Sequence, residues 1–129
     1  MSRGNKKLEV VVYLAISALF MAAFLPGCAQ TPVNGAPINH ARLEDGAYEG
    51  SYRGGANKAS VRVTIENGNI VKIEILQHQA WRGHIAEAAV VERIIDHQST
   101  KVDAVSGATN SSRVIMNAVQ NAIEKAYRN

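Results

Sequence analysis

Cysteine, proline and aromatic residues are all scarce in this chain of 129 residues, which holds one cysteine, three prolines and one tryptophan. A single cysteine excludes an intramolecular disulfide, a zinc site built only from cysteines, and a C-x-x-C-H haem attachment site. Neither basic nor acidic side chains are in large excess. Without residues 1–27, which carry three of the 14 basic and one of the 11 acidic side chains, the net charge is +1. This balance excludes the clustered basic surface that nucleic-acid binding requires. The hydrophobic fraction of 47% permits one globular core.

The N-terminus has the pattern of an export signal. Arg3, Lys6 and Lys7 precede an apolar run over residues 10–25 that only Ser17 interrupts. The run is shorter than the roughly 20 residues of a spanning helix and suits a signal peptide. Cys28 directly follows Gly27, which resembles the lipobox of bacterial lipoproteins. The resemblance implies cleavage after residue 27 and acylation of Cys28. An ordinary secreted protein, or an uncleaved anchor with an incidental cysteine, is the alternative.

Residues 28–44 are predicted to form a lipidated tether, and residues 45–129 the folded domain. The tether contains Pro32, Gly35 and Pro37 and shows no apolar periodicity, which is typical of a flexible coil. We therefore expect a domain held outside the cytoplasm on the cell membrane or the outer membrane.

Three segments of the domain alternate between apolar and polar residues, which predicts strands at 46–53, 59–66 and 70–76. In the third, Val71, Ile73 and Ile75 are predicted to share one face. Asn67-Gly68 is a typical two-residue hairpin turn. Helical spacing is found at 84–97 and 111–127, with a short extended segment at 102–105 between them. The prediction is an α+β fold: an antiparallel three-strand meander plus a short extra strand, packed against two helices.

Hydroxyl side chains cluster just before the last predicted helix. Residues 103–109 read Asp-Ala-Val-Ser-Gly-Ala-Thr, and Ser111 and Ser112 follow, either of which can cap the helix. The unpaired N–H groups and the dipole of a helix N-terminus favour a phosphate. The residues alone leave two interpretations, a phosphate-bearing ligand near Thr109 or a simple helix cap.

The pattern Asp-x-x-Ser-Gly-Ala-Thr resembles the flavinylation motif of the FMN-binding domain family, which includes a subunit of the sodium-pumping quinone reductase. The resemblance extends from residue 46 onward. It implies that Thr109 carries FMN through a phosphoester bond, installed from FAD by a flavin transferase. Asp103, Ser106, Gly107 and Ala108 would be the recognition residues around it. Larger family members have Thr-Pro-Gly-x-Gly where this chain has Gln-Ala-Trp-Arg-Gly at 79–83, so only Gly83 matches, in a loop expected to border the flavin.

Further residues have weaker indications. Ser111 and Ser112 are candidate cofactor contacts. Trp81 either stacks on the isoalloxazine ring or anchors a core or a partner surface. Arg113, in the first turn of the last helix, either holds the phosphate or is solvated. His78, His84 and His97 lack the i, i+4 spacing of a helical metal site, and no metal is predicted. Electron transfer by a flavin requires no catalytic residue from the chain.

These observations predict that the protein is an electron-transfer carrier, which accepts electrons from a membrane donor and passes them to an extracytoplasmic acceptor. Two alternatives remain. One is a flavin-dependent reductase of a small extracellular acceptor, although the domain leaves little chain for a substrate pocket. The other is a non-redox binding lipoprotein in which the hydroxyl cluster only caps a helix.

Overall fold

The computed structural model describes residues 10–11, 31–80 and 83–127. A 3-10 turn at His40–Arg42 precedes the strands β1 (Gly46–Gly54), β2 (Asn57–Glu66) and β3 (Asn69–Gln79). The helices α1 (His84–His97) and α2 (Thr109–Ala126) follow. The strands form an antiparallel sheet in the order β1-β2-β3, and both helices pack against it. The predicted α+β fold is confirmed.

The core lies between α2 and the inner face of the sheet. Every second residue of β2, from Ala59 to Ile65, is fully buried, as the alternation requires. The matching stripe on α2 is also buried and comprises Val114, Ile115, Ala118, Val119, Ala122, Ile123 and Ala126. The buried helix and sheet faces therefore cover each other, which fixes where the start of α2 lies relative to β1 and β2.

Two irregularities in the pairing of β2 with β3 change which side chains of β3 face inward. The register shifts between Thr64 and Ile65, so that Ile70 pairs with Ile65 and is buried. Val71 is 44% exposed, and the prediction that it shares the face of Ile73 and Ile75 is wrong. An extra residue in one strand reverses the alternation beyond it. A second shift, after Ser60, places His78 opposite Ala59.

The turn between β2 and β3 matches its prediction, whereas the segment between α1 and α2 does not. Asn67 and Gly68 both have positive φ, 51° and 71°, and form the predicted hairpin turn. Residues 102–105 form no strand, and the sheet of the described residues has three strands. The short extra strand is therefore a wrong prediction. Its residues pack partly against the core without a neighbouring strand edge to pair with.

Residues 31–43 lie along the domain. Asn117 of α2 accepts a hydrogen bond from the amide of Asn34 and donates one to the carbonyl of Pro32. Pro37 pairs with Ser99, and Ile38 and Leu43 are buried. These residues therefore do not form a flexible coil, because several of their backbone groups make hydrogen bonds to the domain. The predicted boundary at residue 45 stays a prediction, and Cys28 lies outside the described residues. Within the described ranges, no helix has the length and apolarity to cross a membrane.

Candidate functional site

A tight turn leads into α2. The amide of Ala108 donates to the carbonyl of Val105 over 3.0 Å, and Gly107, the third residue of the turn, has φ +80°. Such a φ is typical of glycine in a type II turn. Thr109 is the first residue of the helix, and its side chain is exposed. The turn therefore presents a hydroxyl to solvent at the helix N-terminus.

The N-terminus of α2 has no side-chain cap. Ala108 occupies the N-cap position, and no side-chain hydrogen bond caps the helix there. The prediction that Ser111 or Ser112 caps the helix is wrong, because the helix begins two residues earlier than predicted. The N–H groups of a first helical turn have no intrahelical partner, and the positive end of the dipole favours an anion. This site suits a phosphate beside Thr109.

Ser112 has a role within the turn. Its hydroxyl donates to the carbonyl of Ala108 over 2.8 Å and accepts from the amide of Val105 over 3.0 Å. The side chain is fully buried. Ser112 thus shapes the turn that presents Thr109, whereas Ser111, Gly107 and Ala108 reach the adjoining cavity.

A cavity of about 190 Å³ adjoins Thr109. A Cβ atom built on Gly83 would lie 2.7 Å from Cε1 of His78 and closer still to the hydroxyl of Ser111. No side chain larger than hydrogen fits there without movement of the neighbours. A Cβ on Gly107 would meet open space. Gly83, before α1, therefore lies beside the residues that follow Gly107, and the expectation that its loop borders the flavin stays a prediction. The cavity is lined by Asn57, Gly83, Gly107, Ala108, Thr109, Asn110 and Ser111, of which sequence reasoning missed Asn57 and Asn110.

A larger cavity, of about 430 Å³, contains Asp103 and Arg113 in its lining, together with Lys101 and Val33. Arg113 donates from Nη1 to the carbonyl of Thr31 over 3.3 Å. The carbonyl of Asp103 accepts from Arg93. These two candidate residues therefore belong to a different cavity from Thr109. Ser106 is exposed in the turn, and Trp81 lies outside the described residues.

A cluster that the sequence did not predict joins β3 to α1. Nδ1 of His78 and Nδ1 of His84 each lie 2.7 Å from the same Oε1 atom of Glu87. Burial raises the pKa of the Glu87 carboxyl, but the hydrogen bonds from His78 and His84 together outweigh it, so this pKa is lower than usual. The sequence does contain a signal for the contact between His84 and Glu87, because residues three positions apart lie one turn apart on the same face of a helix. The bulge in β3 that turns His78 inward has no signal in the sequence.

An exposed threonine at an uncapped helix start, beside a cavity with two glycines in its lining, is suited to a phosphate-bearing group. The chain matches the FMN-binding domain family over residues 54–124. The match covers more than half of the chain, and the protein belongs to this family. It is therefore a flavoprotein, and its cofactor is FMN.

Two of the curated proteins that this chain is similar to differ in length and identity. An uncharacterized protein of Treponema pallidum (strain Nichols) is 36% identical over 91 residues, which cover 66% of this chain and 24% of the relative. The NADH:fumarate oxidoreductase of Klebsiella pneumoniae (strain 342) is 28% identical over 93 residues, or 70% of this chain and 10% of that protein. This chain thus spans at most about a quarter of the length of either relative.

The residues present fit FMN. The uncapped start of α2 offers N–H groups to a phosphate, and Thr109 places an exposed hydroxyl beside them. The open space above Gly107 leaves the backbone accessible to a bulky group. Thr109 and the first N–H groups of α2 would hold the phosphate end, beside Gly107 and Ala108.

Proposed function

We propose that this protein is an exported lipoprotein that carries FMN covalently on Thr109 and transfers electrons outside the cytoplasm. FMN, when bound, supplies one- and two-electron redox chemistry, while the protein supplies its position and electrostatic surroundings. The observation that carries the proposal is the exposed hydroxyl of Thr109 at an uncapped helix N-terminus inside the Ser-Gly-Ala-Thr motif.

Covalent attachment requires a hydroxyl that an enzyme can reach. In the proposed step, the Thr109 hydroxyl attacks the phosphorus of the FMN half of FAD, the pyrophosphate bond breaks and AMP leaves. The hydroxyl proton passes to the flavin transferase. The exposure of Thr109 supports this step, and the buried hydroxyls of Ser111 and Ser112 are less accessible to a transferase.

The position of residue 31 supports an anchor close to the flavin site. The hydroxyl of Thr31 donates a hydrogen bond to Oδ1 of Asn110, the neighbour of Thr109. Thr31 is three positions after Cys28 in the chain, a span of at most about 11 Å. Acylation of Cys28 would therefore hold the start of α2 next to the membrane surface, where a membrane donor could reach it. Acylation is tested by incorporation of labelled palmitate into the wild type and its loss in Cys28→Ser.

The covalent flavin is tested in cells that also produce a flavin transferase. We expect fluorescence on a denaturing gel under ultraviolet light from the wild type and none from Thr109→Ala. Thr109→Ser retains a hydroxyl at the same position and should retain part of the fluorescence. Thr64→Ala, which removes a threonine from the outer face of β2, is the matched control and should stay fluorescent.

The remaining outcomes separate the alternatives. A dark wild-type band, with the transferase active on another substrate, would contradict covalent attachment and favour a non-redox binding lipoprotein. Rapid reoxidation of the reduced protein by a small acceptor, without partner proteins, would favour a reductase. Reoxidation that requires a partner protein would support the carrier.

A further inference from the structure

The cluster of His78, His84 and Glu87 has the composition of a metal site. Each residue offers one ligand atom, and the three atoms lie within 4.8 Å of one another. The two imidazole rings meet edge to face, with their centroids 5.8 Å apart. Two imidazole nitrogens and one carboxylate oxygen form the ligand set of many catalytic zinc sites, which keep a further position open for water.

His78 is the buried member of the cluster. Its side chain is 1% exposed, and its Nε2 atom has no hydrogen-bond partner among the described residues. A buried polar atom without a partner is costly and rare, and an absent ion or water is one explanation for it. An ion bound at Nδ1, the atom that faces Glu87, leaves Nε2 as it is, so the three-residue cluster itself carries the argument for the site.

We propose that His78, His84 and Glu87 bind a divalent transition-metal ion such as Zn²⁺, which fastens the end of β3 to the first turn of α1. Imidazole ligands favour zinc, copper, nickel and iron over magnesium and calcium. Residues of two separate elements contribute, so the ion would cross-link the sheet to α1.

The ligand atoms must shift to accept the ion. With ligand bonds of about 2.1 Å, tetrahedral coordination separates the ligand atoms by about 3.4 Å. The present N···O distances are 2.7 Å, so the atoms must move apart by about 0.7 Å. The buried His78 stays in place, whereas the side chains of His84 and Glu87 are 72% and 28% exposed and have room to move.

The site lies next to the cofactor cavity. Cε1 of His78 and the hydroxyl of Ser111 both border the position of Gly83, which lines the cavity beside Thr109. Metal binding would thus secure the wall of that cavity. The site itself requires no flavin, so Thr109→Ala should bind the metal as well as the wild type does. This separates a failure of the metal proposal from a failure of the proposed function.

The test is a calorimetric titration of the full chain, purified in detergent without a histidine tag, with Zn²⁺ at neutral pH. We expect one equivalent to bind and the melting temperature to rise, because the ion binds only the folded protein strongly. His84→Gln and Glu87→Gln should each weaken binding at least about tenfold, since loss of an outer-shell partner alone often costs that much. Both side chains are partly or largely exposed, so these variants should fold.

His97→Gln is the matched control, because His97 is exposed at the other end of α1, and it should bind zinc as the wild type does. Absence of zinc binding by the wild type would overturn the proposal. Equal affinity in the wild type, His84→Gln and Glu87→Gln would overturn it as well, because the ion would then bind elsewhere.

Discussion

The amide of Asn34 donates to Oδ1 of Asn117 over 2.9 Å, although 83 positions separate the two residues in the chain. Asn117 is fully buried on α2, and its amide nitrogen also donates to the carbonyl of Pro32 over 2.8 Å. One buried side chain thus satisfies two backbone groups of the segment that leads to Cys28. This pairing ties the N-terminal segment to the helix that carries Thr109.

Replacement of Asn117 by alanine should release that segment. The amide of Asn34 and the carbonyl of Pro32 lose their hydrogen-bond partner at a buried position. This loss costs about 1–3 kcal/mol of stability. Limited proteolysis should then cut within residues 31–39 faster than in the wild type, and urea denaturation should give the loss of stability. Asn121→Ala is the control, because Asn121 lies on the same helix and its side chain donates to the carbonyl of Ser51 on β1, not to residues 31–39 of the described chain. Equal cleavage of the two variants would argue against the role of Asn117.

Gly50 allows β1 to lie directly against α2. A Cβ atom at this position would lie 2.9 Å from Cα of Ala122 and nearer to two other backbone atoms of the helix. Backbone atoms cannot rotate away, so Gly50→Ala should destabilise the domain by about 1–3 kcal/mol or more. Thermal and urea denaturation provide the measurement. Ser51→Ala changes the neighbouring exposed side chain and should cost little. A stable Gly50→Ala protein would show that the helix and strand are farther apart.

Asp45 should make stability depend on pH. Hydrogen bonds from the backbone of Asn67, and then of Gly68, lower the pKa of the Asp45 carboxyl below its usual 3.8. A lowered folded pKa stabilises the fold above the unfolded pKa, and this contribution disappears as pH falls through the folded value. Asp45→Asn should therefore destabilise the domain at pH 7 and have less effect at about pH 2.5. Urea midpoints at both pH values test this, with Asp96→Asn on α1 as the control. An effect of Asp45→Asn that is the same at both pH values would contradict the assignment.

Gly83 should be required for the wall of the cofactor cavity. Gly83→Ala places a methyl group against the hydroxyl of Ser111 and the imidazole of His78, so we expect lower stability and slower flavinylation. Removal of the hydroxyl in Gly83→Ala/Ser111→Ala should restore part of the stability, and the non-additivity of the two changes measures their contact. Strictly additive effects would show that the methyl group does not meet Ser111.

The local pattern of the sequence was sufficient for the main elements. Alternation in 59–66, the Asn67-Gly68 turn and the stripe from Val114 to Ala126 each predicted what the structure contains. The start of α2 was placed two residues too late, because Thr109 and Asn110 carry no apolar signal and Ala108 supplies no capping group. The predicted strand at 102–105 failed because strand formation depends on an available partner edge, which local pattern does not reveal.

By itself, the sequence determined the α+β fold, the motif that ends at Thr109 and membership of the FMN-binding domain family. These depend on periodicity and on short runs of neighbouring residues. Only the tertiary structure decided that residues 31–43 pack along the domain, that Gly83 meets Ser111, and that His78 joins His84 and Glu87. Each of these depends on contacts between distant segments or on a bulge that reverses the facing of side chains. The physical reason is that local sequence pattern determines which face of a helix or strand is apolar, whereas tertiary packing determines which distant residues that face contacts.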